Sequence, residues 1–313
     1  MKEFIKQLLS YKLAAPLLQN KAFIMVYHDV SETNAPVYNK NYSTSLTNFK
    51  AHLLFFKTHF NCIALDDLLN NTYVKNNKPL IVITFDDGFK SIKNNVLPLI
   101  NEHNIPITVF LNGKAIEQGN LWVTNFLLNN EMEFYTNLLQ LQNATIKHKN
   151  ELLLPLINAP VQEQLQHEKL NSSKDIYLDT QDIEELKSNT NISFGNHTYT
   201  HYNLNAVALN TAITDITKNE NYLNDTLKIA SKHLAIPFGK QEHFNNEIIK
   251  SLGSNNYTSA LTTNPNAINI SSLNNNKYKQ SGVHILPRIG LTNESVNDLL
   301  FLINRTIFKN YTI

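Results

Sequence analysis

The sequence predicts an α/β protein on a parallel sheet, open or closed into a barrel, and three observations lead there. Apolar runs of strand length alternate with stretches of helical periodicity, the order that a parallel sheet with crossover helices requires. Several of those runs stop abruptly at ionisable residues or glycine, as strands do where α/β folds place their sites. The 313 residues suit one large barrel or two average domains, since domains usually run to about 100–200 residues.

The first strand is expected over residues 22–30, apolar almost throughout as far as His28. After a loop, Phe49, Leu53, Leu54, Phe56 and Phe60 fall on one face at helical spacing. A short strand at 62–65, a stronger one at 79–85 and a helix over 91–103 follow. Further strands are expected at 107–111 and 192–194, then a long helix over 206–229. Strand signals recur at 233–236, 257–262 and 285–291, with helices at 242–252 and 294–308.

Between 121 and 174 the alternation stops, and a polar, Leu- and Gln-rich stretch without β-branched clusters takes over. It reads as a helical insertion within a single domain spanning 1–313, because roughly 50 residues with few aromatics bury too little to fold alone. The Asn- and Ser-rich stretch 264–280 reads as a surface loop. Phe4, Ile5, Leu8, Leu9 and Leu13 recur at helical spacing, which suits a helix packed on the domain or one lying at a membrane interface.

Composition narrows the function classes. Hydrophobic residues at 42% and aromatics at 10% exclude a disordered chain. Lys plus Arg is 27 against 26 for Asp plus Glu, so a net charge of +1 gives no electrostatic reason to expect nucleic acid as a partner. The single cysteine, Cys62, excludes an intramolecular disulfide and a cysteine-based metal knuckle, which leaves histidine and carboxylate for any metal site. No apolar run approaches the roughly 18 residues of a transmembrane helix. Lys2, Lys6 and Lys12 interrupt the first twenty residues, where no clean signal core is seen. A cytoplasmic location is therefore expected, with peripheral membrane contact open and the periplasm as the alternative.

Five strand ends carry chemistry. In Ile81-Val82-Ile83-Thr84-Phe85-Asp86-Asp87-Gly88 an apolar strand runs into two adjacent carboxylates. Helix capping explains an isolated Asp-Asp equally well, but paired acids also allow one to bind a cation while the other stays free as a base. In Gly195-Asn196-His197-Thr198-Tyr199-Thr200-His201 two histidines four apart lie on one side of a helix or tight loop and can close on one ion; two surface histidines are the plainer reading of that spacing alone. Asp with two His is an open-site ligand set for zinc or a similar ion. Leu234-Ala235-Ile236-Pro237-Phe238-Gly239 ends a strand in a turn, and Met25-Val26-Tyr27-His28-Asp29-Val30 ends one in ionisable residues. Leu286-Pro287-Arg288-Ile289-Gly290 sets one of only two arginines among apolar neighbours, where it needs a carboxylate partner.

Taken together these segments resemble the polysaccharide deacetylases, also called the NodB-homology fold or carbohydrate esterase family 4. Thr84-Phe85-Asp86-Asp87-Gly88 matches the first motif of that family, and His197-Thr198-Tyr199-Thr200-His201 its H-[ST]-x-x-H motif. Val26-Tyr27-His28-Asp29-Val30 looks like the circularly permuted branch acting on bacterial polysaccharides or lipid-linked sugars. The resemblance implies a distorted (β/α) barrel and metal-dependent removal of acetyl groups from an N-acetylated sugar of a cell-surface glycan or lipid-linked precursor. By that likeness Asp87, His197 and His201 bind one divalent metal, zinc first, with cobalt, nickel or manganese as alternatives. Asp86 is then the general base, His28 the general acid, and the Pro237-Phe238 turn an oxyanion donor.

Two departures stand out. The family's third motif usually has Arg two residues before its Pro, where this chain has Ala235, so Arg288 is the candidate for orienting Asp86. The family's Leu-x-His motif is missing after Arg288, which leaves His28 and, as the competitor, His284 for the proton donor. Two other functions remain in view: a hydrolase of cyclic amides on the same fold, and a carbohydrate-binding relative without catalysis.

Overall fold

The computed structural model describes residues 16–35, 42–121, 123 and 176–307. Strands β1 (Lys21–Tyr27), β5 (Leu80–Phe85), β6 (Ile107–Leu111) and β7 (Ile192–Asn196) lie side by side in parallel. Met25 stands opposite Ile83, and Ile83 opposite Ile107. The near-continuous apolar sequences of β1, β5 and β6 follow from burial of both faces. On one face Ala22, Ile24, Leu80, Val82 and Phe110 fill the inside of the curled sheet. On the other, Phe23, Met25, Ile81, Ile83 and Val109 meet the surrounding helices. Successive side chains along a strand alternate between the two.

The sheet continues through β8 (His233–Ala235), β9 (Ser259–Leu261) and β12 (Val283–Leu286). It then has to return to β1. That closure is made by the chain itself: β12 pairs with β9, while β13 (Ile289–Gly290), only two residues further on, pairs with β1. Pro287 and Arg288 therefore cross the gap between the two edges of the half-barrel, and Arg288 is left fully buried there.

Helices cover the outside. α1 (Leu46–His59) is capped by Ser45, whose hydroxyl accepts from the Asn48 amide, and it buries Phe49, His52, Leu53 and Phe56. α2 (Leu65–Asn70) closes the bottom of the barrel through Leu65 and Leu68. α3 (Leu97–His103), α4 (Gly113–Gln118), α5 (Thr180–Lys187), α6 (Leu209–Asn221), α7 (Asn246–Ser254), α8 (Ile270–Asn274) and α9 (Val296–Ile307) are further helices.

The expected order of elements holds, with local differences. The strand expected over 22–30 breaks at His28, and Asp29–Ser31 forms β2, which pairs with β3 (Ser43–Ser45). Of the strand expected at 62–65, only Asn61–Cys62 pairs, as β4 beside β5, before α2 begins. The run 285–291 is broken by Pro287-Arg288, as closure demands. The stretch 264–280 is not a plain loop: β10 (Ile268–Asn269) pairs antiparallel with the start of β1, α8 follows, and β11 (Lys279–Gln280) pairs with β12. Ile268, Leu273 and Tyr278 anchor it, three buried side chains in a polar stretch whose average hides them. Apart from Leu121 and Val123, the insertion expected at 121–174 lies outside the described residues, as does the helix expected near the N-terminus. No helix among the described residues is long and apolar enough to cross a membrane.

Candidate active site

The strand ends that carry chemistry converge on one end of the barrel. Asp86 and Asp87 follow β5, the Asp86 amide donates to the Tyr27 carbonyl at the end of β1 (2.9 Å), and His28 comes next on that strand. His197 follows β7, Pro237 and Phe238 follow β8, and Arg288 lies between β12 and β13.

Arg288 grips Asp86 with two parallel hydrogen bonds, Nη1 to Oδ1 and Nη2 to Oδ2, each 2.7 Å. Its Nε donates to the Thr262 carbonyl and Nη1 also reaches the Thr84 hydroxyl. The buried guanidinium thus has the carboxylate partner its apolar sequence setting calls for. Burial pushes the Asp86 carboxyl up, but Arg288, aided by His197 and His28, carries it well below the usual carboxylate range. Asp87 moves the other way: burial and then the charge of Asp86 raise it. Adjacent acids with opposite shifts are suited to different tasks.

Asp87, His197 and His201 are all buried, with one ligand atom of each lying within 4.8 Å of the others. Both Nε2 atoms stand 3.5 Å from Asp87 Oδ1. Nδ1 of His197 faces the Ala235 carbonyl at 2.8 Å. A carbonyl only accepts, so Nδ1 carries the hydrogen and the Nε2 lone pair points at the carboxylate. Asp87 Oδ1 has no hydrogen-bond partner. A buried acceptor facing a second lone pair is costly unless a cation or a proton lies between them. Burial lowers the pKa of His197 and, with His197 as its neighbour, that of His201, which keeps both imidazoles in the neutral form a metal needs. The donor set fits a divalent ion of the zinc type.

The two histidines sit on a tight turn, not a helix. Thr198 and His201 both have φ of 63°, a left-handed conformation that is an outlier for a β-branched residue such as Thr. The His201 ring packs edge-on against Phe238 at 4.8 Å. Phe238 has φ of 61°, and the hydroxyl of Thr263 donates to its carbonyl at 2.6 Å. Gly239 is required next: an added Cβ would lie 2.7 Å from the Thr263 backbone nitrogen.

His28 lies within electrostatic reach of Asp86, His197, Arg288 and His201, and its Nδ1 is buried without a hydrogen-bond partner. Burial brings its pKa down to about 4, Asp86 opposing the shift and His197 and Arg288 adding to it. His284 is elsewhere. It stands opposite Ser259, which stands opposite His233, at the beginnings of β12, β9 and β8 and so at the far end of the barrel. Sequence reasoning missed the buried polar side chains around the histidine turn, namely Asn112, Asn196, Asp215 and Asn219. Asp215 and Asn219 left one signal, polar residues four apart on the inward face of an amphipathic helix.

A family model for polysaccharide deacetylase matches residues 73–260, more than half of the chain. Among solved structures, the chain is similar to the deacetylase PplD of Streptococcus pyogenes in complex with acetate, at 17% identity and a TM-score of 0.61 over 92% of this chain and 99% of that one. It is similar to a polysaccharide deacetylase from Bacillus cereus at 15% identity, with a TM-score of 0.59 and coverage of 91% and 69%. The same holds for IcaB from Ammonifex degensii, at 14% identity and 0.57, covering 92% and 97%. At such identities the likeness establishes the fold, the distorted barrel expected from the motifs. A search of curated proteins gives no match.

Proposed function

The chain belongs to the polysaccharide deacetylase family, and on that footing we propose that it is a divalent-metal-dependent N-deacetylase. Its substrate in this reading is an N-acetylated sugar of a bacterial cell-surface glycan or of a lipid-linked precursor. The observation that carries the reading is the pairing of two sites: the Asp87, His197 and His201 cluster, and directly beside it a carboxylate, Asp86, clamped by Arg288. We take the whole chain, 1–313, as one catalytic domain with an insertion at 121–174; alignment with the streptococcal structure over 92% of the chain supports this.

The geometry supports the following roles. Asp87, His197 and His201 would hold the ion, which when bound would supply a Lewis acid for the attacking water and the acetamide carbonyl. Asp86, kept ionised by Arg288, accepts the proton of that water as its oxygen bonds to the carbonyl carbon. The Pro237-Phe238 turn offers a backbone N–H to the oxyanion. Burial lowers the His28 pKa to about 4, and negative charge building beside it in the tetrahedral adduct favours its protonated form. It then gives a proton to the departing nitrogen as the C–N bond breaks. His28 draws the proton it delivers from solvent and Asp86 returns the one it took from water to solvent, so the protons balance and acetate and a free amino sugar result.

The test is acetate release from N-acetyl sugars presented free, polymeric and lipid-linked. We expect release from at least one, loss on chelation, and recovery on adding Zn²⁺ or Co²⁺. Asp87→Ala should abolish both metal binding and release, whereas Asp86→Asn should keep metal and lose roughly 10²-fold or more in turnover. Release indifferent to chelation overturns the metal requirement. Failure of metal-loaded protein on every substrate favours the carbohydrate-binding alternative.

A further inference from the structure

We propose that Asp215 is a positioning residue, acting through Thr200 to hold the His197–His201 turn in the shape that aims both imidazoles at Asp87. The proposal rests on the assignment of those histidines as metal ligands and adds to it a residue outside every motif.

The turn is locally unfavourable. Two of its five residues, Thr198 and His201, adopt left-handed backbone, uncommon outside glycine and an outlier for the β-branched Thr198, so something outside the turn must hold it. The Thr198 hydroxyl accepts from the His201 amide at 3.1 Å, but that bond is internal and leaves the turn free to move as a unit. The external hold comes from two directions. From β6 and β7, the Asn112 amide donates to the carbonyls of His197 and Thr198, and Asn196 Oδ1 accepts from the Thr198 amide at 2.7 Å. From α6, Asp215 takes the Thr200 amide on Oδ2 at 3.1 Å and the Thr200 hydroxyl on Oδ1 at 2.7 Å, while its own carbonyl accepts from the Tyr199 amide.

Helix α6 is built for this. It buries Ala212, Asp215, Ile216 and Asn219, so one inward stripe carries two polar residues four positions apart. Asn219 ties the stripe to the strands, donating to the Leu111 carbonyl and to Asn196 Oδ1 and accepting from the Gly113 amide. A carboxylate 6% exposed on such a face is costly without hydrogen bonds, and Thr200 of the turn supplies one to each of its oxygens. The contact is made at Thr200 and Tyr199, the two positions that the H-[ST]-x-x-H pattern leaves open. Both Asp215 oxygens are taken by Thr200, so its effect is on where the ligands stand.

The test uses the full chain, stripped with a chelator and titrated with Zn²⁺ against a competing chromophoric chelator, with the visible absorption of the Co²⁺ form recorded in parallel. Asp215→Ala should weaken Zn²⁺ binding by about 10- to 100-fold, the range typical when a group orienting a ligand is lost, and should alter the Co²⁺ spectrum. Asp215→Asn, which keeps an acceptor for the Thr200 amide, should recover most of the affinity. If Asp215→Ala does not fold, Thr200→Val decides, since it removes only the hydroxyl bond and should weaken binding in the same direction. Wild-type affinity and spectrum in a folded Asp215→Ala, or in Thr200→Val, overturn the proposal. His201→Ala separates the two levels: if it retains wild-type affinity, the ligand assignment itself fails and the proposal with it. If His201→Ala loses metal and Asp215→Ala does not, only the positioning role falls.

Discussion

Asp86 and Asp87 are neighbours in sequence and opposites in environment. Arg288 holds the first ionised, while burial and the charge of Asp86 press the second toward protonation. Side chains that follow one another leave the backbone on different sides, here helped by φ of 68° at Asp87. One reaches the guanidinium and the other the histidines. His28 completes this group at the residue scale. An amine leaves only when protonated, whereas a good alkoxide or phenoxide leaving group departs unaided. His28→Ala should therefore depress acetamide cleavage far more than hydrolysis of an activated acetate ester, with metal content unchanged. Turnover of both substrates by one preparation checks this, and equal small losses on both would remove His28 as the acid. His284→Ala should affect neither, because that side chain stands at the other end of the strands.

Strand β7 shows how an element positions the site. It enters the histidine turn through Gly195, and an added Cβ there would lie 2.3 Å from the Phe110 ring on the adjacent strand β6. Phe110 in turn lies beneath the Arg288 guanidinium, 5.6 Å from its ring centre. Gly195 is thus chosen for close approach and not for backbone freedom. Gly195→Ala should cost about 1–3 kcal/mol, the usual penalty for overpacking a filled core. Pairing it with Phe110→Leu should give back part of that loss. Chemical denaturation of the single and double variants measures both, and a Gly195→Ala midpoint equal to wild type would show that the ring yields freely.

At the scale of the whole molecule the barrel has two polar ends. One holds the site. At the other, His233 bridges Ser259 and Asp66 at 2.9 Å each, and His284 stands beside Ser259. Burial, with Lys279 nearby, brings the His284 pKa from 6.5 down to about 4. Between those values the unfolded chain binds a proton that the folded one does not, so stability falls as pH drops from about 6.5 to 4 and this contribution then levels off. His284→Asn should flatten the fall in Tm over that window, and unchanged slopes in melts at stepped pH would contradict it. The alternation of elements, the strand-end motifs and the need of Arg288 for an acid were legible in the sequence, because hydrophobic period and the chemistry at a strand end are local properties of a few residues. Arg288 was legible as the candidate partner of Asp86, but the two-bond clamp between side chains 202 residues apart, the separation of His28 from His284, and the gathering of Asn112, Asn196, Asp215 and Asn219 around one turn were not. Those depend on how far the sheet curls and in what register it closes, which is a sum over all its strands that no single segment records.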